Sequence, residues 1–278
     1  MTDLFMIDDI IKTALREDVG TGDITTNSTI PADKKISGKF IAKESGVVCG
    51  LPVVERVFAI VDSEIKLSCN VKDGDFVEKG DIIAEVSGPA RSILTGERVS
   101  LNFLQLMSGI ATRTNACVKQ VEGTKAMITD TRKTTPGLRV LEKYAVKAGG
   151  GHNHRYNLAD GVLLKDNHIA AAGGITAAVA AARGNIPHTL KIEVEVENMQ
   201  MIEEAVACGA DIIMLDNMSV EEMAKAVEYI DGRALVDASG NMGDRDLMEV
   251  AKTGVDIISI GALTHTIKAM DISLRFKV

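Results

Sequence analysis

From residue 126 to residue 260 the sequence alternates between short apolar runs and amphipathic segments of helical spacing, and no other feature narrows the possible folds as much. The apolar runs lie at 126–130, 161–165, 190–196, 211–215, 234–238 and 256–260. The helical segments include "LRVLEKYAVKAGG", "MQMIEEAVACG", "VEEMAKAVEYI" and "RDLMEVAKTG". Several close with Gly, the residue that best tolerates a left-handed C-terminal position. Repeated strand–helix units give a parallel sheet, open or closed. No G-x-G-x-x-G follows the first run, as a dinucleotide-binding open sheet would show.

The placement of polar residues favours the closed form, because in a β/α barrel the reactive groups sit where strands finish. In order, the ends read Thr131-Arg132-Lys133, Lys165-Asp166-Asn167, Glu195, Asp216-Asn217, Ser239-Gly240-Asn241 and Gly261-Ala262. One polar loop carries no information, but six in series point to a single site. In "LKIEVEVEN", Lys191, Glu193, Glu195 and Glu197 alternate with Ile192, Val194 and Val196, so the two sets face opposite sides. If the apolar set packs on helices, the charged set points into the barrel. There a carboxylate needs a cation, a metal or a hydrogen-bond partner. An edge strand with one wet face would read the same way. The last two ends, "DASGNMGD" and "ISIGALTH", have the character of phosphate cradles, with Gly240 and Gly261 letting the backbone approach an anion.

The formal net charge of −8 argues against a nucleic-acid binder that relies on general attraction. Residues 130–168 run the other way, with seven Lys or Arg against four Asp or Glu and three of the five histidines. Arginine forks meet carboxylate and phosphate oxygens in pairs, so this segment suits a ligand with several such groups. The stretch "GGGHNHR" also reads as a solvated loop, or as a metal site with His152 and His154 as ligands.

Upstream, residues 35–86 show short alternating strands cut by turns such as Asp73-Gly74, with a helical "PVVERVFAIV" between them. This is a small α+β unit. A long helical region follows over 92–121, striped by Leu94, Leu101, Leu104 and Ile110, with Gly109 expected to weaken it or end one helix there. The hairpin "VKDGDFVEKGDIIAEV" resembles a biotinyl or lipoyl carrier, yet no Met-Lys pair lies near it, and it reads as structural. At the N-terminus, Ile7, Ile10, Ile11, Ala14 and Leu15 share one helical face, unlike a signal peptide. No stretch approaches the ~20 apolar residues of a membrane span. Cys49, Cys69, Cys117 and Cys208 are scattered without a C-x-x-C pair, which suggests reduced thiols and no zinc site. A soluble, cytoplasmic protein is expected.

The stretch "TDTRKTTPGLRVLEKYAVKAGGGHNHRYNLADGVLLKDNHI" resembles the central signature of the quinolinate phosphoribosyltransferases, and "EDVGTGDIT", "GERVSLNFLQ", "EVEVEN", "IIMLDN", "ASGN" and "GALTH" extend the likeness in order over nearly the whole chain. The resemblance implies an α/β fold, with an N-terminal α/β sandwich domain over residues 1–108 and an irregular, roughly seven-stranded α/β barrel over 109–267. A tail at 268–278 would return to the first domain. Six strands are legible where the resemblance implies seven.

The implied reaction joins quinolinate to 5-phosphoribosyl 1-diphosphate, with Mg²⁺, and releases CO₂, diphosphate and nicotinate mononucleotide. By the same resemblance, quinolinate would be bound by Thr131, Arg132, Lys133, His154 and Arg155, with Arg98 from the second subunit of a homodimer. Lys133, Lys165, Glu195 and Asp216 would carry the reaction. Lys165, Glu195, Asp216, Ser239, Gly240, Asn241, Gly261 and Ala262 would hold the phosphoribosyl diphosphate, and Glu195 and Asp216 the metal, directly or through water. A sister enzyme acting on another acidic ring, or a non-catalytic sensor of phosphate ligands, would share many of these features.

Overall fold

The computed structural model describes residues 4–276. They divide into two compact units, one of residues 4–115, 135–150 and 266–276, the other of 116–134 and 151–265. One continuous helix, Ala90–Gln120, runs through residue 108, and residues 135–150 cluster with the first unit.

The first unit is built on a four-stranded antiparallel sheet of β1 (Lys35–Ala42), β3 (Lys66–Cys69), β5 (Ile82–Pro89) and β12 (Ile272–Phe276), in the order β12-β1-β5-β3. A second pair joins β2 (Gly46–Val47) to β4 (Phe76–Val77). Phe40, Ala42, Ile83 and Val86 from the sheet share one core with Leu51, Val54 and Phe58 of helix Leu51–Val61 and with Ile93, Leu101 and Leu104 of the long helix. Phe40 and Phe58 meet edge to face at 6.3 Å. Each such side chain contributes about 1.5–3 kcal/mol on burial. The tail expected to return to this domain does so as β12, whose Gly38↔Phe276 and Ala42↔Ile272 register closes the outer edge of β1; residues 277–278 lie outside the described residues.

Gly109 does not end the long helix, which continues to Gln120. A Cβ on Gly109 would stand 2.2 Å from the Lys268 carbonyl oxygen, so the glycine is a packing requirement that composition alone could not reveal. The carrier-like hairpin proves structural too. Asp73 accepts from the Gly50 and Leu51 N–H groups at the start of helix Leu51–Val61 and from the Tyr144 hydroxyl.

The second unit holds six parallel strands: β6 (Met127–Thr129), β7 (Val162–Leu164), β8 (Ile192–Val196), β9 (Ile212–Asp216), β10 (Leu235–Ser239) and β11 (Ile257–Ser259). Their order is β6-β11-β10-β9-β8-β7. The strand missing from the sequence count survives as one bridge. His152 pairs parallel with Thr129, giving its N–H to Ile128 and receiving that of Asp130. Three glycines before it and polar residues after it leave too little alternation to read as a strand. Ile192, Val194, Val196, Ile213 and Leu215 are fully buried on the outward side. Helices Met199–Ala207, capped by Asn198, and Val220–Ile230, with the capping box Ser219/Glu222, lie between these strands in sequence. Among the described residues no helix is long and apolar enough to cross a membrane, and none of the four cysteines is in a disulfide.

Candidate active site

Parallel pairing puts the carboxyl ends of the strands at one level: Ser239 is opposite Asp216, Glu195 opposite Met214, and Ser259 opposite Thr129. The side chains just beyond line a cleft of about 480 Å³. Thr131, Arg132, Lys133, His154 and Arg155 form one part of its wall, Lys165, Glu195, Asp216 and Asn217 another, and Ser239, Gly240 and Asn241 a third.

The alternation on β8 is resolved as an interior face of two residues. Glu193 is buried and Glu195 half-buried toward the cleft, whereas Lys191 and Glu197 are exposed beyond the strand ends. Lys165 pairs directly with Glu195, and the Lys165 N–H is held by Nδ1 of His168 one turn on. Neither charge of the pair is fully exposed, so each keeps the other in place in the absence of a ligand.

The basic wall depends on a buried carboxylate. Asp130, wholly inaccessible at the end of β6, accepts the His154 N–H at 2.9 Å and the Asn153 side-chain amide at 2.5 Å. The segment "GHNHR" is thereby folded into the site rather than left as a solvated loop. Arg155 donates to the Gly161 carbonyl at 3.0 Å. Burial and then the neighbouring Arg132 charge press the Arg155 guanidinium toward its neutral form. Since arginine stays protonated, that opposition is relieved when an anion enters.

The third wall is a backbone turn. Gly240 has φ +91°, and a Cβ on it would come within 2.4 Å of the Asn217 side chain and 2.6 Å of its backbone nitrogen. Asn217 and Asn241 adopt left-handed φ of 55° and 53°, unusual outside glycine. They are linked through Asn241 Nδ2 to Asn217 Oδ1, with Asn217 Nδ2 passing to Asp216. Strained asparagines meeting at strand ends are a common accompaniment of functional loops.

Two comparisons with known proteins decide the family. The description "Quinolinate phosphoribosyl transferase, C-terminal domain" matches residues 110–275, and its N-terminal counterpart matches 23–108. The chain belongs to the quinolinate phosphoribosyl transferase family. A Bacillus subtilis protein named probable nicotinate-nucleotide pyrophosphorylase (carboxylating) is 44% identical over 258 residues, which cover 93% of this chain and 89% of that one. The solved NadC of Streptococcus pyogenes is 46% identical with a TM-score of 0.93 and full coverage of both chains. The nicotinate-nucleotide pyrophosphorylase of Ehrlichia chaffeensis is 43% identical with a TM-score of 0.94, again over both whole chains. The α/β fold expected from the resemblance is the one observed.

Of the residues that the family likeness singled out, eleven line the one cleft: Thr131, Arg132, Lys133, His154, Arg155, Lys165, Glu195, Asp216, Ser239, Gly240 and Asn241. Gly261 and Ala262 do not line it, and Gly261 lies beside Lys133. A Cβ on Gly261 would be 3.0 Å from Lys133 Cδ, and Thr264, one turn on, donates to the Lys133 carbonyl. Arg98 is exposed on the long helix of the first unit. Sequence reading passed over Asp130, Asp237 and Ser259. Asp237 interrupts the apolar run "ALVDAS" and lies wholly buried on β10, and that interruption was the available signal. Burial first, and then the Glu193 charge, push its carboxyl up to about 8.

Proposed function

We propose that the chain transfers the phosphoribosyl group of 5-phosphoribosyl 1-diphosphate to the nitrogen of quinolinate and that CO₂ leaves from the product, giving nicotinate mononucleotide. The observation that carries this reading is the cleft itself, with an arginine-rich wall, a Lys165–Glu195 pair beside Asp216, and a glycine turn ordered around the strand ends. Two arginines suit a ring bearing two carboxylates, because each fork can meet two oxygens in parallel.

Arg132 and Arg155, with Thr131 and His154 beside them, bind the acid ring. Arg98 of a second copy completes that pocket in a homodimer. Ser239, Gly240 and Asn241, with Gly261 and Ala262, receive the 5′-phosphate through backbone N–H groups. Lys133 and Lys165 face the diphosphate. When it arrives, Lys165 exchanges part of its contact with Glu195 for phosphate oxygens, and Glu195 turns to the ribose hydroxyls alongside Asp216. As the C1–diphosphate bond lengthens, the sugar gains oxocarbenium character, which the two carboxylates stabilise while the lysines neutralise the leaving group. Glu195 and Asp216 bring hard oxygen donors to one cleft, a set that fits Mg²⁺ shared with substrate phosphates. When bound, that ion supplies further neutralisation of the diphosphate.

The ring nitrogen then attacks C1 without a covalent enzyme intermediate. Quaternised, it stabilises the electron pair left on the adjacent ring carbon as CO₂ departs, and a proton from water takes that carbon to give nicotinate mononucleotide. The protein's task is orientation, which alone is worth several orders of magnitude in rate. We expect it to work as a soluble cytoplasmic enzyme, where thiols stay reduced.

Purified protein incubated with quinolinate, 5-phosphoribosyl 1-diphosphate and Mg²⁺, without ATP, should release CO₂ and nicotinate mononucleotide in equal amounts. Turnover of a different acidic ring with none of quinolinate would reassign the substrate.

A further inference from the structure

Below the cleft, the second unit contains hydrogen bonds that the reaction just described does not use. At one end Thr129 donates to Ser259 at 2.9 Å, and Ser259 donates to Asp237 Oδ2 at 2.7 Å. At the other end the Arg155 N–H donates to His154 Nδ1 at 2.8 Å, and His154 Nε2 lies 2.8 Å from Glu193 Oε2. Since Nδ1 is an acceptor, the ring proton sits on Nε2 and is given to Glu193. The halves meet where His154, Glu193 and Asp237 each bring one ligand atom within 4.8 Å of the others. Glu193 Oε1 and Asp237 Oδ1 are both buried there without a donor among the described residues.

A cation or a shared proton could fill that gap. The imidazole decides between them, because a metal would need the Nε2 lone pair and that nitrogen carries the proton. Burial and then the Glu193 charge push the Asp237 carboxyl up, so Asp237 keeps its proton beside Glu193, which faces His154. The chain Thr129–Ser259–Asp237–Glu193–His154–Arg155 is then continuous from β6 across β11, β10 and β8 to the basic wall.

We propose that Glu193, backed by Asp237, is a positioning residue for the acid-ring pocket: it fixes the tautomer and plane of His154, and through His154 Nδ1 it fixes the backbone from which Arg155 reaches the cleft. Neither carboxylate lines that cleft, so neither touches substrate. The inference rests on the assignment of Arg155 to quinolinate. It also gives His154, whose two ring nitrogens are both engaged, a task beyond lining the pocket: it holds the pocket's shape.

Steady-state kinetics on the whole enzyme test it, with each substrate varied in turn. Glu193→Ala should raise the KM for quinolinate about tenfold, the worth of one charge-assisted hydrogen bond, and leave the KM for phosphoribosyl diphosphate within about twofold. Glu193→Gln should restore quinolinate KM to within about threefold, since the amide oxygen accepts from His154 and the amide nitrogen donates to Asp237. Asp237→Asn should do likewise, because it copies a protonated carboxyl. Arg155→Ala separates the layers of the argument. If it leaves quinolinate KM unmoved, the pocket assignment fails. If it raises that KM while Glu193→Ala does not, the positioning role fails. Equal rises in both KM values for Glu193→Ala, unrescued by Gln, would mark a merely structural residue and overturn the proposal. Should Glu193→Ala not fold, the two amide variants carry the test, and more than a threefold rise in quinolinate KM in both would overturn it. So would a divalent metal retained at one per chain by substrate-free enzyme and lost in Glu193→Gln.

Discussion

On the antiparallel sheet of the first unit the buried side chains include Phe40, Ala42, Ile83, Val86 and Leu274. On the parallel sheet of the second, the outward side is as apolar, but the buried residues of the interior include Thr129, Glu193, Asp237 and Ser259. The first arrangement is a core whose parts are exchangeable at matched volume. The second is a polar interior in which each group depends on a named partner, and removing one strands another. One region is therefore organised for stability, while the other accepts a cost in stability to hold charges in fixed positions.

Four substitutions can break or sharpen that contrast. Phe58→Ala should have the largest effect, about 3–5 kcal/mol of lost stability in urea unfolding, with the KM values of the folded fraction unchanged. Altered substrate KM at full stability would contradict the division of labour. Lys165→Ala should act in the opposite way. We expect kcat to fall about 10²–10³-fold, by analogy with loss of one preorganised transition-state donor, while the thermal midpoint stays close to that of the parent. A fall in midpoint of similar rank to that of Phe58→Ala would show that the pair with Glu195 is structural.

Gly240→Ala sits between the two classes. Its Cβ meets Asn217 at a φ of +91°, so the turn must shift, and KM for phosphoribosyl diphosphate should rise about tenfold while quinolinate KM holds, for a cost of about 1–3 kcal/mol in backbone strain. The smallest and most specific effect concerns pH. Asp237 binds its proton up to about pH 8 when folded, against an ordinary value of 3.8. Between those limits the folded state holds a proton that the unfolded state has lost, so the contribution of Asp237 to stability falls as pH rises from about 4 to 8 and is flat above. Asp237→Asn lacks this term, and its stability relative to the parent should climb over the same window. Parallel urea midpoints at pH 5 and pH 8 would show that the acid is ionised when folded.

The barrel strands were legible because their apolar runs are continuous and bounded, and the cleft because its residues follow strands in order. Resemblance supplied what periodicity could not, namely which ring and which phosphate. Gly109 was misread because a helix-breaking propensity and a close-packing requirement look identical in sequence, and only the Lys268 carbonyl tells them apart. Asp130 was counted only as the last residue of a strand, and its role shows in its two hydrogen bonds to residues 153 and 154. The Glu193–Asp237 meeting joins strands that are neighbours of β9 on opposite sides, a proximity that no local pattern encodes.

The antiparallel pairing of β12 with β1 has a consequence for biosynthesis. At ~5–20 residues per second of translation, the strand that covers the edge of β1 emerges more than ten seconds after β1 itself. Throughout that interval the nascent chain presents the row of amide and carbonyl groups from Gly38 to Ala42 that β12 later occupies. A chain cut short between residues 260 and 272 would have every barrel strand made while its first sheet still offers an open edge to another chain.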